Sequence, residues 1–197
     1  MQLQVDESTG VRFGRTLIVP VTGDPLRQAV DGIVIPANRR GVMGAGFAGQ
    51  VRLAGGGEVE REAMAVAPLT IGGAVSTDSG KLSAQGVKTI IHAVVSDALG
   101  APTRLDIVQA ATSSAMVEAD RRRVKVLLLP VLGAGLGTGR LPSGQVMVVM
   151  IEEVVAHLRR FTSRIDRIIL PQHTTNEAEE IRRALLEARE LWWGLKV

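Results

Sequence analysis

Two glycine-rich runs hold the residues best suited to gripping a ligand: NRRGVMGAGFAG at 38–49 and PVLGAGLGTGRLP at 130–142. Each continues an apolar run that reads as a buried strand, DGIVIPA at 31–37 and KVLLLPVL at 125–132. Glycine lets the backbone approach a ligand closely and adopt positive φ, so that successive N–H groups can face one anion. A helix starting behind such a loop adds favourable potential for negative charge. Asn38 closes the first strand with an amide, which donates to and accepts from sugar hydroxyls at once. The chemistry suggested is the holding of phosphates and a sugar. Either loop alone reads equally well as a tight turn without a ligand, and Asn38 as a strand-ending cap. Two such loops behind two buried strands weigh against the plainer reading.

The elements that must position these residues follow from periodicity. Nearly continuous apolar runs at 16–21, 31–37, 72–77, 88–95, 125–132 and 167–171 suit strands covered on both faces. Helical spacing appears at 104–120, 144–160 and 176–193, and a further helix should start near Gly46 and run to about Met64, with a break at AGGG. Pro142 and Asn176 are opening signals for two of these helices. Strands alternating with helices predict an α/β sheet with helices on both faces, and ligands of such sheets bind where strands end and loops lead into helices. Residues 1–15 are expected to form an arm or an extra edge strand, with 16–197 as one domain.

Composition narrows the function. The chain has 197 residues, 46% hydrophobic and 22% charged, which suits a folded domain. The absence of cysteine excludes disulfides, thiolate metal sites and a cysteine nucleophile. His92, His157 and His173 lie too far apart for a metal-ligand motif, so no metal is expected. The first fifteen residues do not resemble a signal peptide, and no apolar run reaches the roughly 18 residues of a membrane span. A cytoplasmic protein without membrane contact is expected. The formal charge of +3 modestly favours anionic ligands but is too small to imply nucleic-acid binding. The basic cluster EADRRRVKV reads as a solvated helix end. His92, inside an apolar strand, reads as a core histidine, and the Trp192–Trp193 pair as a core or oligomer contact; the sequence does not fix the oligomeric state.

TGDP, VDGIVIPAN, GAGFAGQVRLAGGGEVEREA, IGGAVSTDSGKLSAQGVKTIIHAVV and LLLPVLGAGLG, in that order and spacing, resemble the macrodomain family over about residues 16–190. The resemblance implies a three-layer α/β/α fold with a mixed, mostly parallel central sheet. It implies ADP-ribose as ligand and no required cofactor. Asp24 matches the aspartate that receives the adenine amine, although TGDP is also a plain turn before proline. Asn38 matches the asparagine that meets the distal ribose, and is the candidate for orienting ribose and water in any catalysis. Gly44, Ala45, Gly46 and Phe47 match the loop along the diphosphate and distal ribose. Gly133, Ala134, Gly135, Leu136 and Gly137 match the second phosphate loop.

The departures bear on activity. Ile35 and Pro36 replace the first part of the asparagine motif, Ala48 stands where hydrolytic members carry aspartate, and Gly137 replaces an aromatic residue beside the distal ribose. No lysine lies between Lys88 and Lys125, where another hydrolytic branch places one, and His173 is the only ring after the last strand. The reading favoured is therefore a module for free ADP-ribose or a mono-ADP-ribosylated macromolecule. The alternative is a hydrolase of ADP-ribosylated substrates or a deacetylase of O-acetyl-ADP-ribose that uses a positioned water. A third, RNA binding, lacks stacking platforms, with three Phe, two Trp and no Tyr.

Overall fold

The computed structural model describes residues 7–134 and 141–194. Seven strands form one mixed sheet: β1 (Val11–Phe13), β2 (Thr16–Thr22), β3 (Gly32–Asn38), β4 (Ala74–Thr77), β5 (Thr89–Ser96), β6 (Val126–Leu128) and β7 (Arg167–Gln172). Their order is β1-β2-β7-β6-β3-β5-β4. The inner five run parallel, while β1 and β4 close the two edges antiparallel. The helices are α1 (Gly46–Gly55), α2 (Gly57–Ala65), α3 (Leu105–Arg121), α4 (Ser143–Arg160) and α5 (Thr175–Gly194).

Alternation along the strands feeds two cores. Ile18, Val34, Ile91, Leu127 and Ile168 face α3, α4 and α5. Ile33, Ile35, Ile90, Leu128 and Ile169 face the opposite way, onto α1 and α2. This is the three-layer arrangement expected, and it explains the continuous apolar strands: each buries both faces. β1 lies at one edge of the sheet, and its Phe13 meets Trp192 of α5 edge to face at 5.7 Å.

Some boundaries differ from the periodicity. The strand expected at 125–132 stops at Leu128. Leu129 N–H still bonds Ile169 O, but Pro130 has no N–H to continue the ladder. The helix expected from Gly46 does break within AGGG, at Gly56 with φ +98°, giving α1 and α2. The last helix opens one residue earlier than Asn176 implied. Its cap is Thr174, whose Oγ1 accepts Glu177 N–H, while Glu177 Oε2 accepts the N–H groups of Thr174 and His173. That reciprocal pair is a capping box, and these bonds hold the Glu177 carboxyl below its ordinary pKa.

Candidate functional site

Because β2, β7, β6, β3 and β5 are parallel, their C-terminal ends share one edge of the sheet. Asn38 ends β3 at that edge, and Asp24 and Gly133 follow β2 and β6 there. β3 and β6 are neighbours, so the two glycine loops leave adjacent strands. Asp24 follows β2, three strand spacings from β3, or roughly 14 Å. The edge can therefore serve an elongated ligand.

Asn38 is only 1% exposed and shapes its own loop. Its Nδ2 donates to Val42 O at 2.7 Å, and Oδ1 accepts from Arg40 N at 3.0 Å and Val42 N at 3.4 Å. One Nδ2–H remains for any further partner. Arg39 N–H goes to Ser96 O and Gly41 N–H to Asn38 O. Met43 N–H goes to Glu60 Oε1 at 2.8 Å. From residue 39 to 43, every backbone donor is taken.

The next five residues are the reverse. Among the described residues, the N–H groups of Gly44, Ala45, Gly46, Phe47 and Ala48 have no acceptor; the ladder resumes with Gly49 N–H on Ala45 O. Ala45 occupies the cap position of α1 and has no side-chain oxygen to offer. A Ser, Asp or Thr there would contribute about 1 kcal/mol, and its absence leaves the donors and the positive end of the helix dipole available. Gly44, Ala45 and Gly46 are exposed. Gly46 has φ +58°, and a Cβ there would meet no heavy atom within 4 Å. Among the described residues, the loop opens onto free space at Gly46.

Asp24 is exposed and caps the short turn Pro25–Arg27, its Oδ1 accepting Leu26 N–H at 2.9 Å. Gly133, at φ +72°, begins the second loop, and a Cβ there would press on Thr103 and Val108. Ala134 packs against the core. Gly135, Leu136 and Gly137 lie outside the described residues. His92 is fully buried within β5, its Nε2 3.0 Å from Thr77 Oγ1 and its Nδ1 unpartnered. Burial lowers its pKa to about 4, so it is a neutral core group. His173 is exposed at the edge. Among the described residues, no group of acidic, histidine or cysteine side chains could hold a metal ion.

Three residues absent from the expectations shape the site. Glu60 holds the loop from α2. Leu99, 45% exposed after β5, lies so close to Gly44 that a Cβ there would come within 2.9 Å of it. Thr103 packs on Gly133. Residues 44–49 also spell G-x-G-x-x-G, a spacing a sequence reading should register. That motif requires a βαβ unit, whereas the next strand in the chain, β4, is an antiparallel edge strand not paired with β3. A separate groove of about 420 Å³ lies between β4 and α3. Within it, Ser114 donates to Gly72 O and Glu118 is closed by Ser76 and Arg121.

The family model for the Macro domain matches residues 34–150. The chain belongs to the Macro domain family. An uncharacterized protein of Aquifex aeolicus is 35% identical over 177 residues, covering 89% of this chain and 97% of that one. An uncharacterized protein of Mycobacterium tuberculosis is 30% identical over 167 residues, and this Macro domain spans only 44% of its length. Among solved structures, an Oceanobacillus iheyensis macrodomain with ADP aligns at a TM-score of 0.77 and 15% identity, covering 92% of this chain and 96% of that one. A Trypanosoma brucei macrodomain in complex with ADP-ribose aligns at 0.71 and 17%, covering 87% and 69%. At these identities the two structures establish the shared fold.

Proposed function

We propose that this Macro domain binds ADP-ribose, free or attached to a macromolecule, across the C-terminal edge of its sheet. The observation that carries this is the row of open N–H groups from Gly44 to Ala48, leading into an uncapped helix. Such a row offers a diphosphate several donors at once without a cation. The exposed carboxylate of Asp24 supplies an acceptor for an exocyclic amine on the far side of the edge, at a spacing that suits a ligand longer than one nucleotide. The solved macrodomains with ADP and ADP-ribose add weight through their shared fold.

Binding is the primary role in this reading. Residues 38–57 contain no Asp or Glu, and Glu60, the nearest carboxylate to the loop by hydrogen bonding, is occupied by Met43 and Arg52. Positioned acid–base groups typically contribute about 10²–10⁴-fold, so turnover of ADP-ribosylated protein should be slow. Asn38 would act chiefly by fixing the loop that faces the ribose. A cytoplasmic location belongs to the same proposal; among the described residues no helix is long and apolar enough to cross a membrane.

Titration calorimetry with ADP-ribose, AMP and ribose 5-phosphate tests the reading. ADP-ribose should bind in the micromolar range, about −8 kcal/mol, and more tightly than either fragment. Equal affinity for AMP would leave one half of the edge without a role and overturn it.

A further inference from the structure

Glu60 stands on α2, seventeen residues beyond the backbone group it holds. Its Oε1 accepts Met43 N–H at 2.8 Å, and its Oε2 accepts Arg52 Nε of α1 at 2.6 Å. The Glu60 side chain is 15% exposed and that of Arg52 44%. The contact with Met43 falls at the boundary between the satisfied donors of 39–43 and the open donors of 44–48. Met43 itself is buried in the core under α1. Asn38 fixes the loop up to Val42, and Glu60 fixes the residue after it, which is the last one held before the open row.

A carboxylate in this position brings a difficulty. Placed beside a site for a diphosphate, its charge opposes the ligand, and in partly buried surroundings that repulsion is poorly screened. Arg52 meets it with a hydrogen-bonded ion pair. The pair spans the break at Gly56 and so also sets α1, whose N-terminus faces the site, against α2. With Arg52 44% exposed, solvent screens the arginine end of the pair and limits what it adds to stability.

We propose that Glu60 is a positioning residue for anion binding: it aims the Gly44–Ala48 donors, and Arg52 neutralises it so that it can do so without repelling the ligand. This rests on the reading of that loop as the diphosphate site. Calorimetry with ADP-ribose, together with amide NMR of the free protein, separates the two claims. Glu60→Ala should shift the amide resonances of Gly44 to Ala48 before any ligand is added, and weaken ADP-ribose by about tenfold or more, the scale of a hydrogen bond to a charged group. Glu60→Gln keeps an oxygen for Met43 N–H and should stay within about threefold, below one hydrogen bond of that kind. Arg52→Ala leaves the carboxylate bare, so binding should weaken, and added salt should narrow the gap to the wild type by screening the repulsion. Glu60→Gln in the Arg52→Ala background should restore it. If Glu60→Ala fails to fold, the Arg52 pair of variants decides.

Unshifted amides in a folded Glu60→Ala protein overturn the positioning role, as does a Gln variant as weak as the Ala variant. An Arg52→Ala defect that Glu60→Gln does not relieve overturns the neutralising role. If the wild-type protein bound no ADP-ribose, the functional reading would fail, while the amide shifts would still judge the positioning claim.

Discussion

The two ends of the parallel strands treat backbone donors in opposite ways. At the N-terminal ends, acidic side chains close them. Asp31 takes the N–H groups of Lys125 and Val126 and the Lys88 ammonium, tying the start of β3 to the starts of β5 and β6. Asp120 takes Arg164 N–H, Ser163 Oγ and His157 Nε2, tying the end of α3 to α4 and its following turn. At the C-terminal ends, the loop after β3 leaves five donors open beside a helix with no cap. One end is built for stability and the other carries unfilled hydrogen-bonding capacity. A run of five successive open donors where a strand leads into a helix suits an anionic ligand.

The strongest test of this contrast is at the closed end. Asp31→Ala strips an acceptor from two backbone donors and a salt-bridge partner from Lys88. Hydrogen bonds to charged groups contribute about 1.5–3 kcal/mol each, so the loss should be about 3 kcal/mol in urea unfolding. The folded fraction should bind ADP-ribose as the wild type does. A loss below about 0.5 kcal/mol, the range of an ordinary surface change, would show that this end is not the stabilising one.

Acid should act on the fold through His92. Its folded pKa, about 4, lies below the ordinary 6.5, so the unfolded chain takes up the proton first. Stability should therefore fall as the pH drops from about 6.5 towards 4, and the His92 contribution should level off below that. The shift corresponds to about 3 kcal/mol at most. His92→Leu should remove most of this slope in urea titrations over that range. An unchanged slope would assign the acid sensitivity to other groups.

At the open end, Gly46→Val should cost binding more than stability. Its φ of +58° strains any β-branched residue, yet among the described residues a Cβ there meets no atom within 4 Å and would project into the space the donors face. The strain is about 1–2 kcal/mol. ADP-ribose affinity should fall further than that strain accounts for, by tenfold or more, about 1.4 kcal/mol. A folded variant with unchanged affinity would remove this loop from the site.

What the sequence made legible follows the same division. The apolar strands were readable because both faces are buried, and the order of elements followed from their alternation with helices. The turns at Gly41, Gly46 and Gly133 were readable because few other residues adopt positive φ. The role of Glu60 was not, because its partner Met43 lies seventeen residues away and the contact depends on how α2 turns at Gly56. Asn38 was readable as a strand-ending group, but its burial and its three loop bonds depend on the path of residues 39–42. Thr174 was passed over for Asn176 because the capping box T-x-x-E needs Glu177 to reach back, a signal present in the sequence at 174–177.

The smallest effect expected is at Asp24, and it asks how far along the edge the ligand extends. Asp24 Oδ1 already accepts Leu26 N–H, so a base contact would draw on the remaining acceptor capacity of an exposed carboxylate. Exposure limits what such a bond contributes, and about 1–2 kcal/mol is the fitting scale. Asp24→Ala should thus weaken ADP-ribose and AMP by about five- to thirtyfold, the same free energy expressed as a ratio, while ribose 5-phosphate hardly changes. Asp24→Asn separates recognition from turn geometry, because it keeps the oxygen that caps Leu26 and removes the charge. If the Asp24→Asn protein bound ADP-ribose as tightly as the wild type, the capped turn rather than the carboxylate would be what the ligand needs. Equal losses for ADP-ribose and ribose 5-phosphate in Asp24→Ala would confine the ligand to the glycine loops and cut the proposed site to the β3–β6 half of the edge.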